Sequence, residues 1–271
     1  MTRAFTRPVD LHGLGRSIWA QLRLEVYGVD VRQHGWTTRA ELDRIKAWLR
    51  LRPGSKLLDV GCGEAGPARL LAGESGALVV GVEADRELVQ SARRDGILPT
   101  PGDGVEIVLG DAGRPLELMS ASFDAIMCID VVPHLADLGP VLADWRRLLA
   151  QPESRLLVID PVVPFGPLTY SETRLRTGEV RYEFRTDEEL SSALRRAGLR
   201  VIEQVDLTPE MVSVADAWAT AVERERDPLT EYEGEAVVQH QLDFCRLIHE
   251  IGSSGRLRRI AYVAERGDAS G

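Results

Sequence analysis

Cysteine is scarce in this chain. Cys62, Cys128 and Cys245 are the three thiols among 271 residues. They lie far apart and form no C-x-x-C pair, so neither a disulfide framework nor a zinc site is expected. Lysine is sparse as well, and no long run of basic residues occurs. With 33 basic against 42 acidic side chains the formal net charge is −9. The chain therefore lacks the basic footprint of a nucleic-acid binder, and neither DNA nor RNA is expected as a partner. One local cluster, Arg256, Arg258 and Arg259, reads as a solvated strand edge. No apolar run approaches the roughly 20 residues that span a bilayer, so no membrane segment is expected. The opening MTRAFTRPVDLHGLGR has arginines but no continuous apolar core, which argues against a secretory signal and makes a cytoplasmic location the expectation. No repeat or low-complexity tract interrupts the chain. Apolar residues at 44% and charged residues at 28% are ordinary for a globular domain, and the length supports a sizeable core.

From Lys56 onward short apolar strands alternate with helical stretches, a pattern that implies parallel strands joined by crossover helices. Strands are expected near 56–60, 78–82, 105–109, 123–129, 155–160, 199–207 and 258–265, and helices near 66–73, 85–95 and 138–150. Two capping boxes mark helix starts, Thr38 with Glu41 and Thr186 with Glu189. Earlier, Ile18, Leu22 and Val26 share one face of an amphipathic helix. The spacing of apolar residues predicts a helical insertion at about 209–251. The expected organisation is an N-terminal helical lid over 1–50 and an α/β domain over 51–271.

The segment LLDVGCGEAGPARLLA, Leu57 to Ala72, joins a strand to a helix through Gly61, Gly63 and Gly66. Glycines at such a turn let backbone N–H groups approach a ligand at the positive end of the helix. The spacing satisfies G-x-G-x-x-G, and Glu83 follows at the end of the next apolar run, where a dinucleotide fold places its ribose-binding acid. A dinucleotide cofactor such as NAD is therefore one reading. Asp59 argues against it. A carboxylate inside the first strand would repel a pyrophosphate, yet it suits a ligand carrying an ammonium and a sulfonium cation.

That arrangement resembles the first motif of the class I S-adenosylmethionine-dependent methyltransferases, of the bacterial small-molecule type, and further motifs follow in the family's order. Glu83, in VVGVEAD, stands where the family's acid holds the two ribose hydroxyls, with Ala84 beside it. Asp111 and Ala112, in VLGDAG, stand where an acid and its neighbour meet the adenine. Phe123 to Leu135, FDAIMCIDVVPHL, looks like the fourth strand and the turn beside the transferable methyl. The resemblance implies a Rossmann-like doubly wound sheet, mostly parallel with an antiparallel last strand, plus the helical lid and insertion. It also implies S-adenosyl-L-methionine as cofactor, S-adenosyl-L-homocysteine as product and methyl transfer to a small-molecule acceptor, with natural-product tailoring as the preferred context. Oxygen, nitrogen and carbon acceptors stay open, and so does the oligomeric state, a homodimer included. The rivals are an NAD-dependent oxidoreductase and a protein that binds S-adenosylmethionine without catalysis. Against the first, neither Lys46 nor Lys56 belongs to a Tyr-x-x-x-Lys motif.

By this resemblance the cofactor set is Trp36, Asp59, Gly61, Cys62, Gly63, Glu83, Ala84, Asp111, Ala112, Ile129 and Asp130. His134, five residues past the fourth strand, is the candidate general base and acceptor contact. Tyr27, Phe165, Tyr170, His240 and Phe244 are candidate acceptor-pocket residues. His240 and Phe244 are four apart and so share a helix face, with His249 further along the same helix. No carboxylate set accompanies the two histidines, so no metal is expected.

Overall fold

The computed structural model describes residues 14–33, 35–94, 104–164 and 183–267. Seven strands form one sheet: β1 (Lys56–Val60), β2 (Leu78–Glu83), β3 (Val105–Leu109), β4 (Ala125–Ile129), β5 (Arg155–Val162), β6 (Arg200–Asp206) and β7 (Arg258–Glu265). Their order is β3-β2-β1-β4-β5-β7-β6. Leu58 of β1 pairs in parallel with Val80 of β2 on one side and Ile126 of β4 on the other, so the strand order reverses between β1 and β4. The last strand runs the other way. The Leu207 N–H, just past the end of β6, donates to Arg259 O at the start of β7. The Arg266 N–H, past the end of β7, donates to Ser154 O just before β5. The sheet is mostly parallel, with β7 antiparallel as the resemblance implies.

The central strands read as continuous apolar runs because both faces are covered. Ala125, Ile126, Met127 and Cys128 are all fully buried, as are Leu57, Leu58 and Val60. Phe123, placed by sequence inside the fourth strand, instead makes an isolated bridge to Leu149.

Two compact units share the chain. The larger holds residues 40–160, 185–205 and 260–271, and with them helices α3 (Gly66–Ser75), α4 (Arg86–Arg94), α5 (Leu138–Leu148) and α6 (Asp187–Arg196). At the start of α6 the expected capping box forms: the Glu189 N–H donates to Thr186 Oγ1 at 3.1 Å, and the Thr186 N–H donates to Glu189 Oε2 at 2.7 Å. The smaller unit gathers residues 1–39, 161–184 and 206–259. It contains α1 (Leu14–Tyr27), α7 (Thr208–Arg224), α8 (Arg226–Glu233) and α9 (Glu235–Ser253), while α2 (Arg39–Trp48) starts at its boundary. The smaller unit has its own core. Trp19 stacks on Trp218 with ring centroids 5.7 Å apart, Tyr27 packs on Trp218 at 5.2 Å, and Leu22, Met211, Leu242 and Ile248 belong to the same buried cluster. Arg224 joins α7 to α1 through a two-pronged ion pair with Glu25, at 2.9 and 2.8 Å.

The arginine cluster corrects a sequence expectation. Arg258 pairs with Asp206 at 2.8 Å, but Arg259 is buried beside Thr37 rather than solvated. Successive strand residues point to opposite faces, so two adjacent arginines cannot both lie on the wet one. None of the described helices is long and apolar enough to cross a membrane.

Candidate functional site

In an open parallel sheet a ligand sits beyond the carboxyl ends of the strands, where the strand order reverses. Here that place lies past β1 and β4, within the larger unit. Gly61, directly after β1, has φ +71°, and its N–H donates to Val82 O at 2.8 Å. A Cβ there would meet Val131 Cγ2 at 2.4 Å, so the turn after β4 packs onto the glycine. Gly63, at φ +56°, has nothing within 4 Å of where a Cβ would lie. The first glycine is required by packing. The second leaves an open cradle.

Glu83 lines that cradle with a carboxylate already fixed in place. Its Oε2 accepts from the Gly63 N–H at 2.9 Å and its Oε1 from the Asp85 N–H at 2.8 Å. Each oxygen keeps a lone pair for a ligand hydroxyl. Asp59 sits on β1 opposite Gly81 of β2 and Met127 of β4, and is 5% exposed. Burial, and then the charge of Glu83, push its carboxyl up to about 8. The Cys128 thiol is also pushed well up, by burial first and then by Asp160, Asp59 and Asp130. Cys62 rises for the same first reason, with Asp59 and Glu83 adding to it. Carboxylates thus crowd this end of the sheet, an electrostatic setting that favours a cation and disfavours a pyrophosphate.

Asp130 follows β4 in the left-handed region at φ +58°, its N–H bonded to Ile159 O at 2.8 Å. Such a conformation costs on the order of 1 kcal/mol for a residue other than glycine and gathers at functional sites. His134 ends a single 3-10 turn, Val132–His134, and is exposed. Asp111 is exposed and caps its own turn, its Oδ1 accepting from the Gly113 N–H at 2.8 Å, while Ala112 is buried. Ala84 is exposed and Ile129 half-buried, at the ends of β2 and β4.

The remaining candidates belong to the smaller unit or fall outside the described residues. Trp36 is buried and stacks on Phe244 at 5.6 Å. Tyr27 is buried against Trp218, whereas His240 is exposed. His249 faces Asp216 at 3.8 Å and is half exposed. Phe165 and Tyr170 lie outside the described residues. Among the described residues no group of three His, Cys, Asp or Glu side chains is placed to hold a metal. Three contributors carried no sequence signal. Val131 shapes Gly61, Gly81 makes room for Cys62, whose Sγ would lie 2.7 Å from an added Cβ, and Arg185 binds the His134 turn. Each acts across strands or loops distant in sequence.

The two glycines make different predictions. Gly61→Ala is expected to destabilise the protein by about 2–5 kcal/mol, from left-handed strain and a clash in a packed site. Gly63→Ala is expected to lose only about 1–2 kcal/mol of stability, the strain alone, while losing ligand affinity. Thermal denaturation beside calorimetric titration separates the two effects. Equal stability losses would show that the packing on Gly61 is easily relieved.

Residues 58–157 match the family model of a methyltransferase domain. The 24-methylenesterol C-methyltransferase 2 of Oryza sativa is 28% identical over 182 residues, 65% of this chain and 50% of that one. The 27-O-demethylrifamycin SV methyltransferase of Amycolatopsis mediterranei is 27% identical over 225 residues, 78% of this chain and 80% of that one. Thus the chain spans about half the length of the first relative and most of the second. Phosphoethanolamine N-methyltransferase 2 of Haemonchus contortus superposes with a TM-score of 0.79 at 18% identity, over 94% of this chain and 58% of that one, a likeness of fold.

Proposed function

We propose that this chain, a member of the class I S-adenosylmethionine-dependent methyltransferases, transfers the methyl group of that cofactor to a small-molecule acceptor. The observation that carries the reading is Glu83, whose carboxylate is held by the Gly63 and Asp85 N–H groups beside an open glycine cradle and a buried Asp59. A fixed carboxylate with spare lone pairs suits the vicinal hydroxyls of a ribose, and a carboxylate-rich strand end suits the sulfonium and ammonium of S-adenosylmethionine. Asp111 and Ala112 would take the adenine. Asp130 and Ile129 would line the methyl side. Asp59, Gly61, Cys62 and Gly63 would shape the floor, with Ala84 next to Glu83. The sterol and rifamycin names of the relatives support an acceptor of natural-product type.

The bound cofactor supplies a methyl group already activated by its sulfonium charge. Protein side chains then have three tasks: alignment, exclusion of water and, where the acceptor carries a proton, its removal. Alignment can contribute about 7–11 kcal/mol. His134 is the proposed base for an acceptor that must lose a proton. His134→Ala is expected to lower kcat by about 10²–10⁴ while cofactor affinity holds, read as S-adenosylhomocysteine release against an acceptor panel of phenols, amines and enols. A wild-type rate in that variant would leave His134 without a proton-transfer role.

Calorimetric titration with S-adenosylmethionine, S-adenosylhomocysteine and NAD tests the cofactor assignment. Binding of the first two without the third is the expected result. NAD binding alone would overturn the reading, and cofactor binding without turnover of any acceptor would mark a binding protein rather than an enzyme.

A further inference from the structure

The turn that presents His134 is a single 3-10 turn, Val132–His134. It holds two 3-10 bonds, from the His134 N–H to Val131 O at 2.9 Å and from the Leu135 N–H to Val132 O at 3.0 Å. Such bonds are poorer than those of an α-helix, and a helix that ends after one turn leaves carbonyl groups without intrahelical donors. One distant side chain binds three carbonyls of the turn and the residues just after it. Arg185 donates from Nη1 to Val132 O at 3.1 Å, and from Nη2 to Leu135 O at 2.6 Å and Ala136 O at 3.4 Å. All of these residues belong to the larger compact unit. The anchor is itself well defined, because Arg185 directly precedes Thr186 and the capping box that starts α6.

We propose that Arg185 is a positioning residue that fixes the His134 turn, and through it the proposed base, by donating to the carbonyls on either side of the imidazole. The inference rests on reading that turn as the methyl side of the cofactor site. The guanidinium is suited to the task. Its planar fork directs several N–H donors at once from a single permanent charge, so three carbonyls spread around a turn can be bound together. Lysine carries a charge of the same sign on a compact ammonium and would hold fewer of these carbonyls in fixed directions. A glutamine would lose the charge as well as the reach.

The test uses the full chain with 15N-labelled histidine, comparing wild type with Arg185→Gln and Arg185→Lys. It combines hydrogen exchange of peptides covering residues 131–137 with the imidazole signal of His134, assigned from a His134→Gln sample. The expected result for Arg185→Gln is turn exchange faster by at least about tenfold, from loss of hydrogen bonds to a charged group. The His134 ring signal is expected to move, and its response to added S-adenosylhomocysteine to disappear, while the Kd of that ligand stays near the wild-type value. Arg185→Lys is expected to recover part of each change. Unaltered turn exchange and an unaltered His134 signal in Arg185→Gln would overturn the proposal. So would exchange that rises equally across α6 and the central strands, since Arg185 would then be a general structural bond. Failure of the wild type to bind S-adenosylhomocysteine would sink the cofactor reading instead, and the ligand-free exchange and ring signals would still decide the role of Arg185.

Discussion

Replacing Glu83 with alanine is expected to weaken binding of S-adenosylmethionine by about 1.5–3 kcal/mol, roughly 10- to 150-fold. Two effects act in the same direction. The variant loses a charged acceptor for the ribose hydroxyls, and it releases the Gly63 N–H, which Glu83 holds at 2.9 Å. The second loss loosens the cradle at φ +56°, so some ordering of the loop must then be supplied on binding. Glu83→Gln separates the contributions. The amide keeps one oxygen for a backbone N–H but places an NH2 where the other oxygen accepts, so an intermediate affinity is expected. A third effect opposes the first two. Glu83 is the second cause that raises Asp59, after burial, and removing it lets Asp59 ionise more readily. Titration calorimetry of the three proteins at one pH measures the balance. Unchanged affinity in Glu83→Ala would remove the ribose assignment.

The second large effect is on pH. Asp59 titrates near 8 in the folded protein, mainly because burial penalises its charge, against about 4 in an unfolded chain. The folded state therefore holds one proton more than the unfolded state between about pH 4 and 8. Stability supplied by that proton is full below about pH 4 and is lost as pH rises through about 8. Asp59→Asn cannot ionise, so it is expected to lack this slope and, at pH 8, to melt above the wild type by about 2–4 °C or more, the equivalent of 1 kcal/mol in a chain of this size. Binding has the opposite sign. A cation placed beside Asp59 favours its carboxylate, so binding expels the proton, and affinity is expected to rise up to about tenfold per pH unit between pH 6 and 8. Calorimetry in phosphate and in Tris, buffers of different ionisation enthalpy, counts the released proton directly. Equal enthalpies in both and a flat affinity profile would show that Asp59 does not face the cation.

Much of this architecture is legible in the chain because its causes are local. Apolar runs of strand length, glycine where φ must be positive, and a Thr-x-x-Glu box at a helix start each depend on neighbours a few residues away. The strand and helix order, the β1 loop and the capping box at Thr186 could thus be placed to within a few residues. Glu83 was also legible, since the period of strand and helix puts it at the end of β2, level with the glycine loop. What the chain could not reveal depends on contacts between distant segments. Arg259 reads as another surface arginine until the strand alternation and Thr37 bury it. Trp36 and Phe244 carry no mark of pairing, yet they stack at 5.6 Å. The two compact units likewise mix stretches from across the chain, because α1 finds its apolar cover on α7 rather than on its sequence neighbours. By itself, then, the sequence determined the fold class, the glycine cradle and the acids at the strand ends, through short-range periodicity and backbone sterics. Only the tertiary structure decided that Asp59 lies dry, that Val131 packs on Gly61 and that Arg185 holds the His134 turn, because burial and long-range hydrogen bonds exist only once the strands have assembled.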